Sequence, residues 1–267
     1  MKTIAIIGAL EKEVREVASA VDGAVTTQEA GLTVLAGTYH GARLVATTAG
    51  MGTVNAAAAA QHLISTYHPE ALIFSGIAGG LNPVLHIGDI VIGERLRYLD
   101  TDTALLAESA PGLEEYTSTP ALVDAAEALL TSRGYCNANE HTAGPDSLQY
   151  LRGTIATGDR FVAGAEMRER AIEATHADCV EMEGAAIAHI AAKNGIDCLV
   201  MRAISDNCDE AYDALSSREF DLEESLAYLA KSLAVNASAH GHKLTFDGAY
   251  DPVIIRGDRI RIEQILI

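Results

Sequence analysis

Three acidic side chains follow predicted buried strands, and their positions suit acid and base chemistry on one ligand. Glu13 comes in the first turn after the strand Thr3–Ile7, and Asp206 leaves the end of the apolar strand Cys198–Ile204. Glu183 stands at the head of the apolar stripe of a predicted helix, where a carboxylate is costly unless it is hydrogen-bonded. Because ligand crevices in open α/β sheets lie outside the carboxyl ends of the strands, we expect the three carboxylates to meet at one rim.

The clearest pattern of secondary structure lies around two of these acids. A short strand, Cys179–Glu181, is followed by an alanine-rich helix, Glu183–Asn194, a turn at Gly195 and the strand Cys198–Ile204. An apolar strand, a helix and a second apolar strand in close succession predict a βαβ unit of a parallel sheet. The fold class is therefore α/β.

The rest of the chain also alternates strands and helices. A polar, irregular stretch from Leu99 to Thr119 predicts a long loop beside the site. The glycines of Gly76–Gly80 predict a loop whose main-chain N–H groups can approach a ligand closely. The other predicted elements are a helix over Glu11–Val21, a hairpin of Leu32–Ala36 and Leu44–Thr48, a helix from Thr53, strands at Ala71–Ser75, His86–Tyr98 and Gly153–Ala156, and helices at Ala121–Ser132, Ala165–Thr175 and Phe220–Val235.

Composition limits the partners that the protein can have. With 19 basic and 37 acidic residues the formal charge is −18, which disfavours nucleic acid or an anionic membrane and favours a small neutral or cationic ligand. The four cysteines show no CxxC spacing, so we expect reduced thiols in a cytoplasmic protein. The first residues carry too short an apolar run for a signal peptide, and no stretch is long enough for a membrane span.

The pattern changes near the end of the chain. Residues 239–267 lose the alanine-rich helical pattern and carry Arg256, Arg259 and Arg261 among isoleucines. We therefore expect a main domain over residues 1–238 and a C-terminal extension over 239–267. The segment GDRIRIEQIL is similar to the opening of S4-like RNA-binding domains, but only over that short segment. The role of the extension stays open, and no nucleic-acid partner is predicted for the main domain.

Five motifs occur in an order and spacing typical of one enzyme family. They are IGALEKEV, SGIAGGLNPVLHIGDIVIG, TGDRFV, VEMEGAAIAH and RAISD. Together they resemble the methylthioadenosine/S-adenosylhomocysteine nucleosidases of the nucleoside phosphorylase superfamily, over roughly Lys2 to Val235. The resemblance implies a three-layer α/β/α sandwich around a twisted mixed β-sheet, usually a homodimer. It also implies hydrolysis of the bond between adenine and a 5'-thio-substituted ribose, without a cofactor or a metal.

The resemblance assigns roles to the acids. It implies that Glu13 activates the water and that Asp206, with Ser205 beside it, protonates N7 of adenine. Glu183 and Met182 would hold the ribose hydroxyls. To act as an acid at neutral pH, Asp206 must carry a proton or receive one, which burial near other carboxylates favours.

The resemblance also implies how the base is bound. The main chain at Phe161 and Val162 would read the adenine edge, the ring of Phe161 would stack on the base, and Arg202 would steady the acidic cluster. The set of expected substrate-binding residues is completed by Ile77, Glu181 and Met51.

These roles agree with the chemistry of glycosidic cleavage. Breaking a ribose C–N bond develops an oxocarbenium-like cation, so the site needs carboxylates, with an acid and a base on different sides of the sugar. A phosphorylase of the same superfamily binds an anionic nucleophile, typically with arginines in the first glycine loop and after the third strand. Here those places read GALEKEV and TTAGMGTV, without an arginine. Hydrolysis is therefore favoured over phosphorolysis.

Other interpretations stay open at this stage. Glu13 alone would be an ordinary first-turn acid, Asp206 a helix cap, and Met51 and Met182 core filler. The chain has Leu106 and Ser216-Ser217 where many relatives carry aromatics that shape the 5' pocket. The 5' group is thus methylthio, homocysteinyl, plain deoxy or the aminofutalosine side chain. The alternatives to the nucleosidase are a nucleoside phosphorylase, an aminofutalosine nucleosidase and a non-catalytic nucleoside-binding module.

Overall fold

The computed structural model describes residues 1–140 and 147–209, together with residues 230, 233–234, 255–256 and 261–262. Eleven of its strands form one mixed sheet. The central strands are apolar over most of their length because both faces of the sheet are covered. The strands are β1 Thr3–Gly8, β2 Asp22–Glu29, β3 Leu32–Tyr39, β4 Ala42–Thr48, β5 Ala71–Gly80, β6 Ile90–Tyr98, β7 Tyr116–Thr117, β8 Cys136–Asn137, β9 Gln149–Thr157, β10 Cys179–Glu181 and β11 Asp197–Asp206.

Helices cover both faces of the sheet. They are α1 Lys12–Ala20, α2 Thr53–Tyr67, α3 Thr103–Ala107, α4 Pro120–Ser132, α5 Ala165–Thr175 and α6 Gly184–Asn194, with a 3₁₀ turn at Ala138–Glu140. One core cluster packs α1 and α4 on the sheet, and a second packs α2 and α6 on the opposite face. The expected three-layer α/β/α sandwich is therefore confirmed. None of the helices in the described ranges is long and apolar enough to cross a membrane.

Part of the sheet closes on itself. The strand order is β10-β9-β6-β11-β5-β1-β4-β3-β2, and β10 also pairs with β5. Cys179 lies opposite Gly80 and Val180 opposite Gly79 in this antiparallel pairing. Strands β5, β11, β6, β9 and β10 thus form a ring, from which β1, β4, β3 and β2 extend as an open wing.

Two predictions about strands are wrong. The unit β10-α6-β11 is not a parallel βαβ unit, because β10 is antiparallel to β5 whereas β11 is parallel to it. The predicted glycine loop Gly76–Gly80 is the second half of β5. It stays extended because other groups fill the space of the missing side chains: a methyl group at Gly76 would overlap Arg202 and Glu13, and one at Gly79 would overlap Cys208.

The open wing differs from the prediction in one strand and agrees in two. Strand β2 was not predicted, because it is polar and almost wholly exposed and so lacks a hydrophobic alternation. The hairpin of β3 and β4 is confirmed. Its turn is at His40 and Gly41, whose φ angles of 44° and 81° lie in the left-handed region.

The remaining predictions concern connections and the C-terminal part. The stretch Leu99–Thr119 is not wholly irregular, since it contains α3 and β7. The helix predicted over Phe220–Val235 falls mostly outside the described residues; the residues described within it are helical and buried, namely Ala230, Leu233 and Ala234. Most of the extension also lies outside them. Its described residues form two antiparallel strands, β12 Ile255–Arg256 and β13 Arg261–Ile262.

Candidate active site

Glu13 lies buried beneath the turn that joins β1 to α1. Its Oε2 accepts hydrogen bonds from the N–H groups of Ala9 at 2.5 Å and Leu10 at 2.9 Å, and its Oε1 accepts one from Ile77 at 3.3 Å. Burial raises the pKa of Glu13, although the positive charge of Arg202 and the three main-chain donors oppose the shift. A carboxylate with a raised pKa that is still held by N–H donors is suited to accept a proton from water.

Glu183 lies at the beginning of α6 but does not cap its own helix. Its Oε1 accepts the N–H of Gly52, the residue directly before α2, at 2.8 Å. Gly52 has a φ of 96°, a left-handed conformation that favours glycine. Burial, and then the like charge of Glu181, raise the pKa of Glu183 to about 7, whereas Arg202 opposes the shift.

Arg202 is the cation of this cluster and is fully buried. Its Nη2 donates to Glu181 and lies 3.4 Å from Oε2 of Glu183, and its guanidinium stacks over the Phe74 ring at 4.1 Å. A methyl group at Gly76 would overlap both Nη1 of Arg202 and Oε1 of Glu13, so these two atoms are close neighbours. Arg202 therefore connects Glu13, Glu181 and Glu183.

Glu181 is the most heavily hydrogen-bonded acid of the cluster. Its Oε2 accepts the N–H groups of Glu183 at 3.0 Å and Gly184 at 2.7 Å, as well as Arg202. Its Oε1 accepts the hydroxyl of Thr157. The first amides of α6, which have no partner within the helix, are thus satisfied by a carboxylate from the preceding strand.

Asp206 ends β11 and is also buried. Its Oδ2 lies 2.8 Å from the Ser205 hydroxyl, and its Oδ1 accepts the N–H of Cys208 at 2.7 Å. A methyl group at Gly79 would lie 3.2 Å from Oδ1 of Asp206, whereas Glu13 contacts β5 at Gly76 and Ile77. Because three strand residues span about 10 Å, Glu13 and Asp206 approach one short stretch of β5 from different elements.

The loop after β9 carries the residues expected to bind adenine. Phe161 is 36% exposed, and Val162 is buried in a third, smaller core cluster that also contains Cys208. Gly164 N–H donates to the carbonyl of Cys208 at 2.7 Å, which joins this loop to the segment that follows Asp206. The structure thus brings the loop next to Asp206.

Three of the expected substrate-binding residues take less central places. Met182 is half-buried between Glu181 and Glu183, and Met51 is 46% exposed in the turn before α2. Ile77 gives its N–H to Glu13, while its side chain packs against the first core cluster. Ile77 therefore takes part in the site through its main chain.

Sequence reasoning did not single out four residues that hold the site together. Phe74 supports Arg202, Thr157 binds Glu181, and Gly52 binds Glu183. Asp159 accepts both the N–H and the hydroxyl of Thr53, at 2.8 and 2.7 Å. The motif TGDRFV contained Thr157 and Asp159, but their partners lie far away in the sequence. In the parts of the chain that the structure describes, no group of three or more His, Cys, Asp or Glu residues is placed to hold a metal ion.

Comparison with known proteins places the chain in one superfamily. The family model of the phosphorylase superfamily matches residues 3–236. The 5'-methylthioadenosine/S-adenosylhomocysteine nucleosidase of Shewanella sp. (strain MR-7) is 36% identical over 212 residues, which are 77% of this chain and 84% of the relative.

Two solved structures also match. The nucleosidase of the same name from Neisseria meningitidis, in complex with methylthio-immucillin-A, is 27% identical with a TM-score of 0.73 and covers 89% of this chain and 100% of its own. A futalosine hydrolase of Helicobacter pylori strain 26695 shares the fold at 24% identity, with a TM-score of 0.74 and coverage of 89% of this chain and 98% of its own. The chain therefore belongs to the phosphorylase superfamily and, within it, to the 5'-methylthioadenosine/S-adenosylhomocysteine nucleosidases.

Proposed function

We propose that the protein hydrolyses the N-glycosidic bond of 5'-methylthioadenosine, S-adenosylhomocysteine and 5'-deoxyadenosine and releases adenine. The observation that carries this proposal is the buried cluster of Glu13, Glu181 and Glu183 around the one guanidinium of Arg202. Such a surplus of negative charge stabilises a sugar that becomes cationic as the bond to the base breaks.

The two acids that approach β5 divide the remaining chemistry between them. Glu13 takes a proton from the water that attacks the sugar, since its carboxylate is already oriented by three N–H donors. Asp206 delivers a proton to N7 of adenine, and the Ser205 hydroxyl holds its carboxyl in place. Glu183 and Met182 hold the ribose hydroxyls, and Phe161 with Val162 binds the base.

Hydrolysis rather than phosphorolysis is supported by the turn after β1, whose N–H groups are already bound by a carboxylate of the protein. The N–H groups of Ala9 and Leu10 form the kind of main-chain site that binds a phosphate, but here both donate to Glu13. A second anion would be repelled by that carboxylate. The water-activating residue therefore occupies the place that a phosphate would need.

The test is adenine release from methylthioadenosine, followed with and without phosphate, together with identification of the sugar product. We expect release at the same rate in both cases and a free 5-thio-substituted ribose. A rate that depends on phosphate, with a sugar phosphate as product, would establish a phosphorylase. Binding of the nucleoside without release of adenine would establish a non-catalytic module.

An aminofutalosine nucleosidase is the second candidate. The helix α3 places Leu106 against the chain's own core, at the position where many relatives carry an aromatic of the 5' pocket. An aliphatic side chain that packs into the core leaves more room for a large 5' group. Competition between methylthioadenosine and aminofutalosine in one reaction decides between them by the ratio of their kcat/KM values.

The assembly, compartment and domain limits are part of the same proposal. A homodimer is supported by exposed apolar side chains near the site, Met51 and Val54 at the start of α2 and Leu105 in α3. Sedimentation at several concentrations tests it.

A cytoplasmic location is supported by the four free cysteines. We propose residues 1–238 as the nucleosidase domain and 239–267 as an extension, with a small-molecule nucleoside as ligand.

A further inference from the structure

The protein already hydrogen-bonds both carboxylate oxygens of Glu181. Four donors surround its two oxygens: the Thr157 hydroxyl, the N–H groups of Glu183 and Gly184, and the guanidinium of Arg202. Its side chain is also buried. A buried carboxylate with four protein donors is already satisfied and does not need a hydrogen bond from a ligand.

Thr157 joins Glu181 to the helix behind it. The hydroxyl of Thr157 donates to Oε1 of Glu181 and accepts the N–H of Ala185 at 2.8 Å. Thr157 is the last residue of β9 and is fully buried. The hydroxyl therefore fixes the carboxylate of Glu181 between the end of β9 and the first turn of α6.

Arg202 depends on this carboxylate for its position. In the part of the chain that the structure describes, Nε of Arg202 has no hydrogen-bond partner, and its contact with Glu183 is long at 3.4 Å. Its strong contacts are the ion pair with Glu181 and the face of the Phe74 ring. We infer that Glu181, held by Thr157, is a positioning residue that fixes Arg202 and thereby sets the charge on Glu183, without touching the sugar itself.

The charges that face Glu183 come from three elements. They are Glu181 from β10, Arg202 from β11 and Glu13 from α1, and the Gly52 N–H of the α2 turn adds a dipole. Loss of the Glu181 charge removes a negative charge beside Glu183. It also frees Arg202 from its ion pair with Glu181, so that Arg202 can interact more strongly with Glu183. Both changes favour the ionised form of Glu183, so its pKa must fall.

Glu181→Gln and Thr157→Val separate charge from position. Glutamine keeps the shape and most hydrogen bonds of Glu181 but removes its charge, whereas valine keeps the charge and removes the hydroxyl that orients it. The matched control is Thr175→Val, because Thr175 is another buried threonine whose hydroxyl donates within its own helix to Ala171, away from the cluster.

The first measurement needs no substrate. The carboxyl carbon of Glu183 is followed by carbon-13 NMR against pH, with its signal assigned by its loss in Glu183→Gln. We expect a midpoint near 7 in the wild type and a midpoint lower by about one pH unit in Glu181→Gln. We expect no downward shift in Thr175→Val and a smaller one in Thr157→Val than in Glu181→Gln, because Thr157→Val keeps the charge of Glu181 but loosens its position. An unchanged midpoint in folded Glu181→Gln would overturn the inference.

The second measurement rests on the proposed function and uses methylthioadenosine. The acidic limb of kcat/KM should move to lower pH in Glu181→Gln, and the plateau at higher pH should fall about tenfold in Thr157→Val but not in Thr175→Val. Equal plateaus in the two valine variants would contradict a positioning role. A wild type that releases no adenine would refute the proposed function alone, because the NMR titration stands independently of it.

Discussion

At the scale of single residues, we propose distinct proton transfers for Glu13 and Asp206, since one is held by the β1–α1 turn and the other ends β11. We expect Glu13→Gln and Asp206→Asn each to lower kcat for adenine release by roughly 100-fold or more, which is the usual contribution of a positioned acid or base. The measurement is the initial rate with saturating methylthioadenosine.

Exposed acids close in sequence provide the controls for these two changes. Glu11 at the start of α1 makes no side-chain cap, and Asp209 lies just beyond Asp206. We expect Glu11→Gln and Asp209→Asn to stay close to the wild-type rate. If Glu13→Gln or Asp206→Asn also stays within a few-fold of it, that residue does not perform the proton transfer proposed for it.

Glu183 predicts a pH dependence of stability. Its folded pKa of about 7 lies above its ordinary value of 4.5. A group whose folded pKa is raised stabilises the protein fully below the ordinary pKa, and this contribution is lost as the pH rises through the folded pKa. Glu183→Gln should therefore flatten the fall in unfolding free energy between about pH 4.5 and 7, by up to about 3 kcal/mol.

Urea denaturation followed by far-UV circular dichroism, at intervals across that pH range, measures this difference. Glu166→Gln is a suitable control, since Glu166 is an exposed residue of α5. A wild-type profile parallel to that of Glu183→Gln would show that Glu183 does not bind its proton more tightly in the folded protein.

The acids could be found in the sequence because each follows a strand, and the positions of strand ends can be read from apolar runs. Glu13 and Glu183 lie near the same guanidinium, that of Arg202, and Asp206 lies beside Gly79, three residues along β5 from Gly76. Thr157 and Asp159 could not be found in this way. A hydroxyl behind a carboxylate, or a carboxylate that binds the start of a distant helix, leaves no periodic signal, because its importance depends on partners that only the fold supplies.

At the scale of elements, one carboxylate joins the expected adenine loop to α2. Asp159 binds the N–H and hydroxyl of Thr53, the first residue of α2, and the N–H of the preceding Gly52 goes to Glu183. Asp100 accepts the N–H of Asp159 at 3.0 Å and ties both to the end of β6. The loop proposed to bind the base and the carboxylate proposed to bind the sugar are therefore anchored to adjacent amides, those of Thr53 and Gly52.

We expect Asp159→Ala to raise KM for methylthioadenosine about tenfold, with a smaller effect on kcat, because two hydrogen bonds to a charged group are lost away from the reacting bond. Steady-state kinetics measure this split. The matched control is Asp102→Ala, which removes a carboxylate that caps α3 through the N–H of Leu105. Equal effects of the two changes would mean that Asp159 is only a helix cap.

Element boundaries could be predicted where the hydrophobic periodicity is strong. The predictions failed where close packing around glycines or pairing with another strand decides the structure. α4 and α5 lie close to their predicted limits. β5 continues through five residues that include three glycines, because buried neighbours occupy the space beside Gly76 and Gly79. The direction of β10 could not be read either, since a strand of three residues carries no directional signal and its course is set by pairing with β5.

At the scale of the whole molecule, the ring of strands makes the site depend on distant parts of the chain. β10 closes the ring and is followed directly by Met182 and Glu183. We expect catalytic activity and far-UV circular dichroism to be lost at the same urea concentration, because separation of β10 from β5 dismantles both. The control is Ser65→Ala, an exposed change in α2. In this variant too, activity and far-UV ellipticity should be lost at the same urea concentration. Activity that disappears well before the ellipticity would mean that the site melts independently.

The pairing of Cys179 with Gly80 also bears on how the enzyme comes into being. During synthesis the wing and β5 emerge from the ribosome long before the strand that completes the ring, and Arg202 and Asp206 emerge later still. Until then the emerging polypeptide holds only Glu13 of the proposed catalytic pair. We therefore expect a nascent chain that still lacks Asp206 to release no adenine.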